Sequence, residues 1–237
     1  APDPAFADRP VGALGRRGSV LAAAGPDGAW RRSGSGAWER VPGRFVQNVR
    51  AVHPAADGTL WVGTASGLYL LDGKRPARRL GTPEQLCSSN VHALAELPDG
   101  TVAVGSTGGV DLYRKGRRVG VLSANRKIPS RFVRGIAVDG RNRLWLPTPI
   151  GVARWDPAEG FFRLRHSRRW LASDDARAVA IAPDGTAWVG TAAGVDAIRR
   201  RRMTLAQKAA HFTRMVLARH IRPPGLVGPA VLARPGD

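Results

Sequence analysis

The chain has 237 residues, with 37 Lys and Arg against 18 Asp and Glu, a formal net charge of +19, and 43% hydrophobic residues that include seven Trp. That apolar content supports a packed core and excludes wholesale disorder, no apolar stretch approaches the roughly 20 residues that cross a bilayer, and a single cysteine, Cys87, excludes an intrachain disulfide or a Cys-cluster zinc site. Only four of the basic residues are lysine, and the arginines lie in short scattered groups such as Arg16-Arg17, Arg78-Arg79, Arg117-Arg118 and Arg199 to Arg202. Such a distribution reads as a charged rim rather than as the footprint of a nucleic acid.

The first ten residues hold neither a basic nor an apolar targeting region. From residue 18 onward the chain repeats itself. A worn unit, GSVLAAAGPDGAWRR from Gly18 to Arg32, is followed by NVRAVHPAADGTLWVGTASGLYLLDG from Asn48 and NVHALAELPDGTVAVGSTGGVDLYRKG from Asn90. Two more copies begin at Phe132 (FVRGIAVDGRNRLWLPTPIGVARWDP) and Asp175 (DARAVAIAPDGTAWVGTAAGVDAIRR). Gly28, Gly67, Gly109, Gly151 and Gly194 anchor these units at spacings of 39, 42, 42 and 43 residues.

Inside each unit the side chains alternate with the period of two that a strand requires. An inner strand such as Val49 to Val52 meets a turn built on Asp57-Gly58, Asp99-Gly100 or Asp184-Gly185, where glycine tolerates positive φ. A second strand, Thr59 to Thr64, carries Trp61, with Trp145 and Trp188 at the same place and Ala103 in the unit from Asn90. The anchor glycine closes the next hairpin, a third strand follows, and the variable Arg-rich stretch has room for a fourth. Three or four short antiparallel strands in about forty residues make one blade of a β-propeller. The expected fold is therefore all-β, with about five visible blades near 9–47, 48–89, 90–131, 132–174 and 175–202. The chain starts at Ala1 without Met, and five is a small number of blades, so the expectation is that further blades precede it.

At Met203 the pattern changes. Thr204 and Gln207 have the spacing of a capping box, and Leu205, Ala209, Phe212 and Val216 form one apolar stripe, so an amphipathic helix is expected before Pro223-Pro224-Gly225. Residues 203–237 read as this helix plus a linker or the start of a further domain.

Four residues stand out as a candidate binding site. Arg50, His92, Arg134 and Arg177 occupy one repeat position, at spacings of 42, 42 and 43 residues, on the strand that lines a propeller's central channel. A ring of cations at one channel mouth would focus potential on an anion such as a uronate, sulfate or phosphate. In the plainer alternative each side chain turns into a groove between blades and pairs with a carboxylate or carbonyl. Thr64, Ser106, Thr148 and Thr191 form a second register and are expected to hydrogen-bond backbone. Small residues Ala51, Ala93, Gly135 and Ala178 recur on the inner strand for close packing, and the recurring Trp is expected to pack between blades.

No catalytic or metal-binding pattern emerges. The five histidines include no H-x-x-x-H pair, and free carboxylates such as Glu39, Glu84, Glu96, Glu159, Asp174 and Asp175 offer no selected pair, although a glycosidase dyad needs proximity in space only. No phosphate-loop, dinucleotide or serine-elbow motif is present, and no cofactor is expected.

The string DGTLWVGTASGLYLLD, Asp57 to Asp72, resembles the two-component regulator propeller repeat, and DGTAWVGTAAGVDA from Asp184 resembles it nearly as well. The unit from Asn90 lacks the Trp, and the unit from Phe132 has Pro147-Thr148 in place of Gly-Thr. The resemblance runs from Gly18 to Arg202. It implies a sensor-type propeller in a periplasmic or extracellular setting, a non-catalytic module that binds a ligand or partner, with an anionic carbohydrate as the favoured ligand. It also implies attachment to a signalling domain or, in the alternative, service as the accessory propeller of a polysaccharide-degrading enzyme whose catalytic α-toroid lies C-terminal to Asp237. The repeat motif itself carries no catalytic residue, so any site must be argued separately.

Overall fold

The computed structural model describes residues 6, 10–42, 48–74, 76–82, 85–123, 128–167, 170–199, 204–207, 209, 210 and 213. Its strands form five antiparallel sheets, each built from consecutive strands. The first holds β1 (Ala13–Arg17), β2 (Val20–Gly25), β3 (Gly28–Ser33) and β4 (Glu39–Val41), and the second β5 (Val49–Pro54), β6 (Leu60–Thr64), β7 (Gly67–Leu71) and β8 (Arg78–Leu80). In the third are β9 (Val91–Glu96), β10 (Val102–Ser106), β11 (Gly109–Arg114) and β12 (Arg117–Leu122). The fourth holds β13 (Ala137–Val138), β14 (Leu144–Thr148), β15 (Gly151–Asp156) and β16 (Phe161–Arg165), and the fifth has three strands, β17 (Ala176–Ile181), β18 (Ala187–Thr191) and β19 (Gly194–Ile198). The first strands of successive sheets pack against one another, β1 on β5, β5 on β9, β9 on β13 and β13 on β17, which arranges the sheets around a common axis.

Both hairpins of each unit follow from their turn residues. Asp57 Oδ1 accepts the Thr59 N–H at 2.9 Å, and Asp99 and Asp184 do the same for Thr101 and Thr186 at 2.9 and 2.8 Å. Gly58 N–H donates to Ala55 O and Ala55 N–H to Thr59 O, so the loop is a four-residue turn closed by a left-handed glycine at φ +83° rather than a two-residue hairpin. The second hairpin needs its glycine twice over. Gly109 and Gly151 have φ of +132° and +118°, and a Cβ there would lie 2.3 Å from Leu122 O and 2.2 Å from Arg165 O. A hydroxyl then clasps the turn: Thr64, Ser106, Thr148 and Thr191 donate to the carbonyls of Gly67, Gly109, Gly151 and Gly194 at 2.9, 3.2, 2.7 and 3.1 Å. Each also accepts a backbone N–H two residues on, which is the structural role expected for this register.

The core lies between the sheets rather than within them. Strand alternation points Leu60 and Val62 back at Ala22, Ala24 and Val41 of the first sheet, while Trp61 faces forward onto Val91, Val102, Val104 and Tyr113 of the third. Trp145 faces forward in the same way onto Ala176, Ala187 and Val189 of the fifth. The glycine two residues after the Trp in the same strand has a matching purpose: a Cβ on Gly63 would meet Val91 Cγ1 at 2.6 Å, so a side chain there would hold the next sheet away. Trp61 and Trp145 are 2% and 4% exposed, whereas Trp188 is 42% exposed, because no sheet covers its forward face among the described residues.

The fourth sheet departs from the expected pattern at its inner edge. Only Ala137–Val138 pair as β13, because Pro147 occupies the place of Gly63 and Gly105 and has no N–H to donate into the ladder. Arg134 N–H still donates to Pro147 O at 3.0 Å, which holds the preceding segment in line. At the other end of the chain the capping box is present: Thr204 N–H donates to Gln207 Oε1 at 3.0 Å and Gln207 N–H to Thr204 Oγ1 at 3.2 Å. Leu205 opens the apolar stripe and is 84% exposed, while Phe212, Val216 and the Pro-Pro-Gly stop lie outside the described residues.

Candidate functional site

The candidate residues lie where the inner strands begin, and the strands present three of them by the same device. In β5, Val49 pairs with Thr64 and Ala51 with Gly63, so Arg50 is the extra residue of a β-bulge. His92 between Val91 and Ala93, and Arg177 between Ala176 and Ala178, are extra residues in the same way. A bulge releases its residue from the pleat and re-aims the side chain, a feature common at the rims of closed β-structures. Arg134 reaches the same rim from the segment before β13. The first sheet has Gly12 at this place, next to Ala13, and contributes no side chain.

The four residues are joined in a line. Arg50 Nη1 lies 3.3 Å from both ring nitrogens of His92. The His92 ring sits 5.0 Å from that of Phe132, over which the Arg134 guanidinium lies at 5.4 Å. Arg134 donates to Asp175 and, at 3.2 Å, to the Ala176 carbonyl, and Arg177 Nε donates to the other Asp175 oxygen at 3.1 Å. The carboxylate pairing of the plainer alternative occurs for two of the four residues. Arg134 and Arg177 share a carboxylate, whose own pKa Arg134 in particular holds below the ordinary value. Arg50 faces His92, whose pKa is lowered first by burial and then by the charges of Arg50 and Arg134. His92 is thus neutral at pH 7, and its uncharged ring nitrogen can accept from Arg50.

Phe132 and Asp175 were not singled out as site residues by the repeat alignment. Each lies two residues before a ring position, Arg134 or Arg177, and a search of the loop just upstream of the aligned position would have found them. The opposite end of the inner strands holds a second cluster that the sequence pattern did not reveal. Glu96 accepts from Arg17 Nε at 2.9 Å and from the Ala56 N–H at 3.1 Å, and lies 3.2 Å from His53 Nε2. Its side chain is 7% exposed, so β1 and the end of β5 are both tied to one buried carboxylate on β9.

A groove of about 520 Å³, lined by Trp61, Leu70, Asp72, Arg78 and Lys115, lies elsewhere again, between the second and third sheets. No cluster of three or more His, Cys, Asp or Glu able to hold a metal occurs among the described residues, and no described helix is long and apolar enough to cross a membrane.

No protein-family model and no curated protein matches the sequence. Solved structures do match in shape. The extracellular domain of a hybrid two-component system from B. thetaiotaomicron superposes with a TM-score of 0.63 at 17% identity, over 81% of this chain and 28% of that one. The WD40 β-propeller domain of Doa1 gives 0.61 at 15% identity, over 80% and 63% of the two chains. The fold is a β-propeller. A virginiamycin B lyase from Staphylococcus aureus, bound to quinupristin, also shares it, with a TM-score of 0.61 at 12% identity over 84% of this chain and 73% of the lyase. Each sheet is thus a propeller blade, and the line of candidate residues sits at one mouth of the central axis. The chain spans less than a third of the length of the extracellular sensor domain that it matches.

Proposed function

We propose that this propeller is a non-catalytic recognition module of an extracytoplasmic sensor, and that it takes an anionic carbohydrate at the mouth formed by Arg50, His92, Arg134 and Arg177. One observation carries the reading: Arg50 and His92, each lifted out of its strand by a bulge, face one another with no carboxylate paired to either among the described residues. A carboxylate or sulfate on a sugar supplies the missing counter-charge. Arg50 and Arg134 suit it because the guanidinium fork binds such groups through two parallel hydrogen bonds. Asp175 fixes the direction of Arg134, and Phe132 offers an apolar surface beside the charges. The likeness in fold to an extracellular two-component sensor domain supports the extracytoplasmic setting.

Titration calorimetry with an oligogalacturonate and with its neutral methyl ester tests the proposal. The acid is expected to bind and the ester is not. Equal binding of both, or binding of neither this acid nor any sulfated or phosphorylated glycan, overturns it.

A further inference from the structure

A second departure from the repeat grammar lies on the outer side of the fourth blade, away from the mouth. At one register of the outermost strand the first three blades bury an aliphatic side chain: Val41, Leu80 and Leu122 pair with Ala29, Leu68 and Val110. In the fourth blade this place belongs to Arg165, paired with Val152. Its guanidinium lies 5.2 Å from the Trp145 ring and 5.7 Å from that of Trp170, and its Nε and Nη1 are buried without a hydrogen-bond partner among the described residues. On the adjacent strand Arg154 occupies the place of Leu70 and Leu112, lies over Trp145 at 5.7 Å, and leaves its own Nε buried and unpaired. Arg163 pairs with Arg154 across β15 and β16.

Carboxylates offset this group only in part: the charges of Asp139 and Asp156 act on Arg154, but among the described residues no carboxylate forms an ion pair with Arg154 or Arg165. Asp139 is occupied by Arg143, by Trp145 Nε1 at 2.8 Å and by the N–H groups of Arg141 and Arg143, and Glu159 reaches only Arg163, at 3.4 Å. Burial, reinforced by the charges of Arg154, Arg163 and Arg143, pushes Arg165 down to about 10. Replacing a buried aliphatic by a cation costs desolvation that stacking on tryptophan offsets only in part. A local rule kept in three blades and broken in the fourth, with the charges gathered rather than dispersed, marks a functional place.

We infer that the outer part of the fourth blade, on the face toward the fifth, binds a multivalent oxyanion, a sulfate ester or phosphate group, seated by Arg154, Arg163 and Arg165 beside the partly exposed ring of Trp170. Three guanidinium groups favour a doubly charged group over a single carboxylate. This site is independent of the mouth and stands whether or not the mouth binds a glycan.

The test follows tryptophan fluorescence while sodium sulfate or phosphate is added against chloride of equal ionic strength. Arg165→Leu restores the side-chain type of the other blades, so the variant is expected to fold. It should weaken sulfate affinity about tenfold or more, the scale of a lost charge-assisted hydrogen-bond pair, and Arg117→Ala, an exposed arginine of the third blade outside both sites, should leave that affinity unchanged. A sulfated disaccharide and inorganic pyrophosphate, titrated separately, distinguish the two sources of the oxyanion, and tighter binding of either than of free sulfate supports the site. Equal affinity in wild type and Arg165→Leu overturns it, as does an equal loss in Arg117→Ala. Should Arg165→Leu misfold, the exposed Arg163→Gln serves instead, and an unchanged affinity there is equally decisive against the site.

Discussion

The two ends of the inner strands use the same residue types to opposite effect. At one end a buried carboxylate on the third blade, Glu96, gathers Arg17 of the first and His53 and the Ala56 N–H of the second, and the charges there are consumed in holding the three blades together. At the other end Arg50 and His92 are in contact, with no carboxylate paired to either among the described residues, and Arg134 and Arg177 share Asp175 beside them. Density of charge therefore does not distinguish a site from a structural latch. What distinguishes them is whether the hydrogen-bonding capacity is already saturated.

The contrast can be broken most forcefully at Glu96. Glu96→Ala leaves the buried His53 without its partner and releases the Ala56 N–H and Arg17 to water, and should cost about 2 kcal/mol of stability in urea unfolding. Arg50→Ala at the open mouth should cost less than about 1 kcal/mol in the same assay. A similar small loss in both variants would erase the difference between the two ends. Next in size, Arg134→Ala should weaken anionic-glycan binding by about tenfold, the scale of one charge-assisted hydrogen bond, while Glu96→Gln leaves that affinity intact.

pH separates the two histidines more finely. His53 has its pKa lowered from 6.5, chiefly by burial, against the raising influence of Glu96. Above 6.5 it is neutral in both folded and unfolded chains and contributes fully. As pH falls below 6.5 the unfolded chain takes up a proton that the folded chain resists, so stability declines until the folded pKa is passed. His53→Gln should flatten this part of the stability profile. His92 titrates below 6.5 as well, yet its protonation adds a cation to the mouth, so anion affinity should rise several-fold as stability falls. Affinity that is flat from pH 7.5 to 5 would show that His92 does not face the ligand. Arg177→Ala is the mildest change: its side chain is 64% exposed and Asp175 keeps Arg134, so stability should move by no more than about 0.5 kcal/mol and affinity by less than in Arg134→Ala.

Much of this architecture was legible in the sequence because repetition averages out local ambiguity. The anchor glycines, the Asp-Gly turns and the hydroxyl register recur in chain order, and each performs in the fold the duty its chemistry suggests. The shared position of Arg50, His92 and Arg177 was legible for the same reason. The bulges that aim them were not, since an extra residue is defined only by its partner strand, here the Gly63-Thr64, Gly105-Ser106 and Gly190-Thr191 doublets. Pro147 announced its exchange for glycine without announcing that it would shorten β13, because that depends on which N–H the ladder needs. Glu96 and Arg165 were hidden for a different reason. Glu96 sits where the repeat is free to vary, the register of Arg165 is fixed only by sheet pairing, and packing alone reveals that one is saturated and the other unpaired among the described residues.

Side-chain NMR offers the most direct test of the mouth. With an oligogalacturonate added stepwise, the Nε–H resonances of Arg50 and Arg134 and the ring signals of His92 should shift progressively, while those of Arg17 and His53 stay in place. Shifts confined to Arg17 and His53, or none at Arg50, His92 and Arg134 at saturating glycan, would contradict the account.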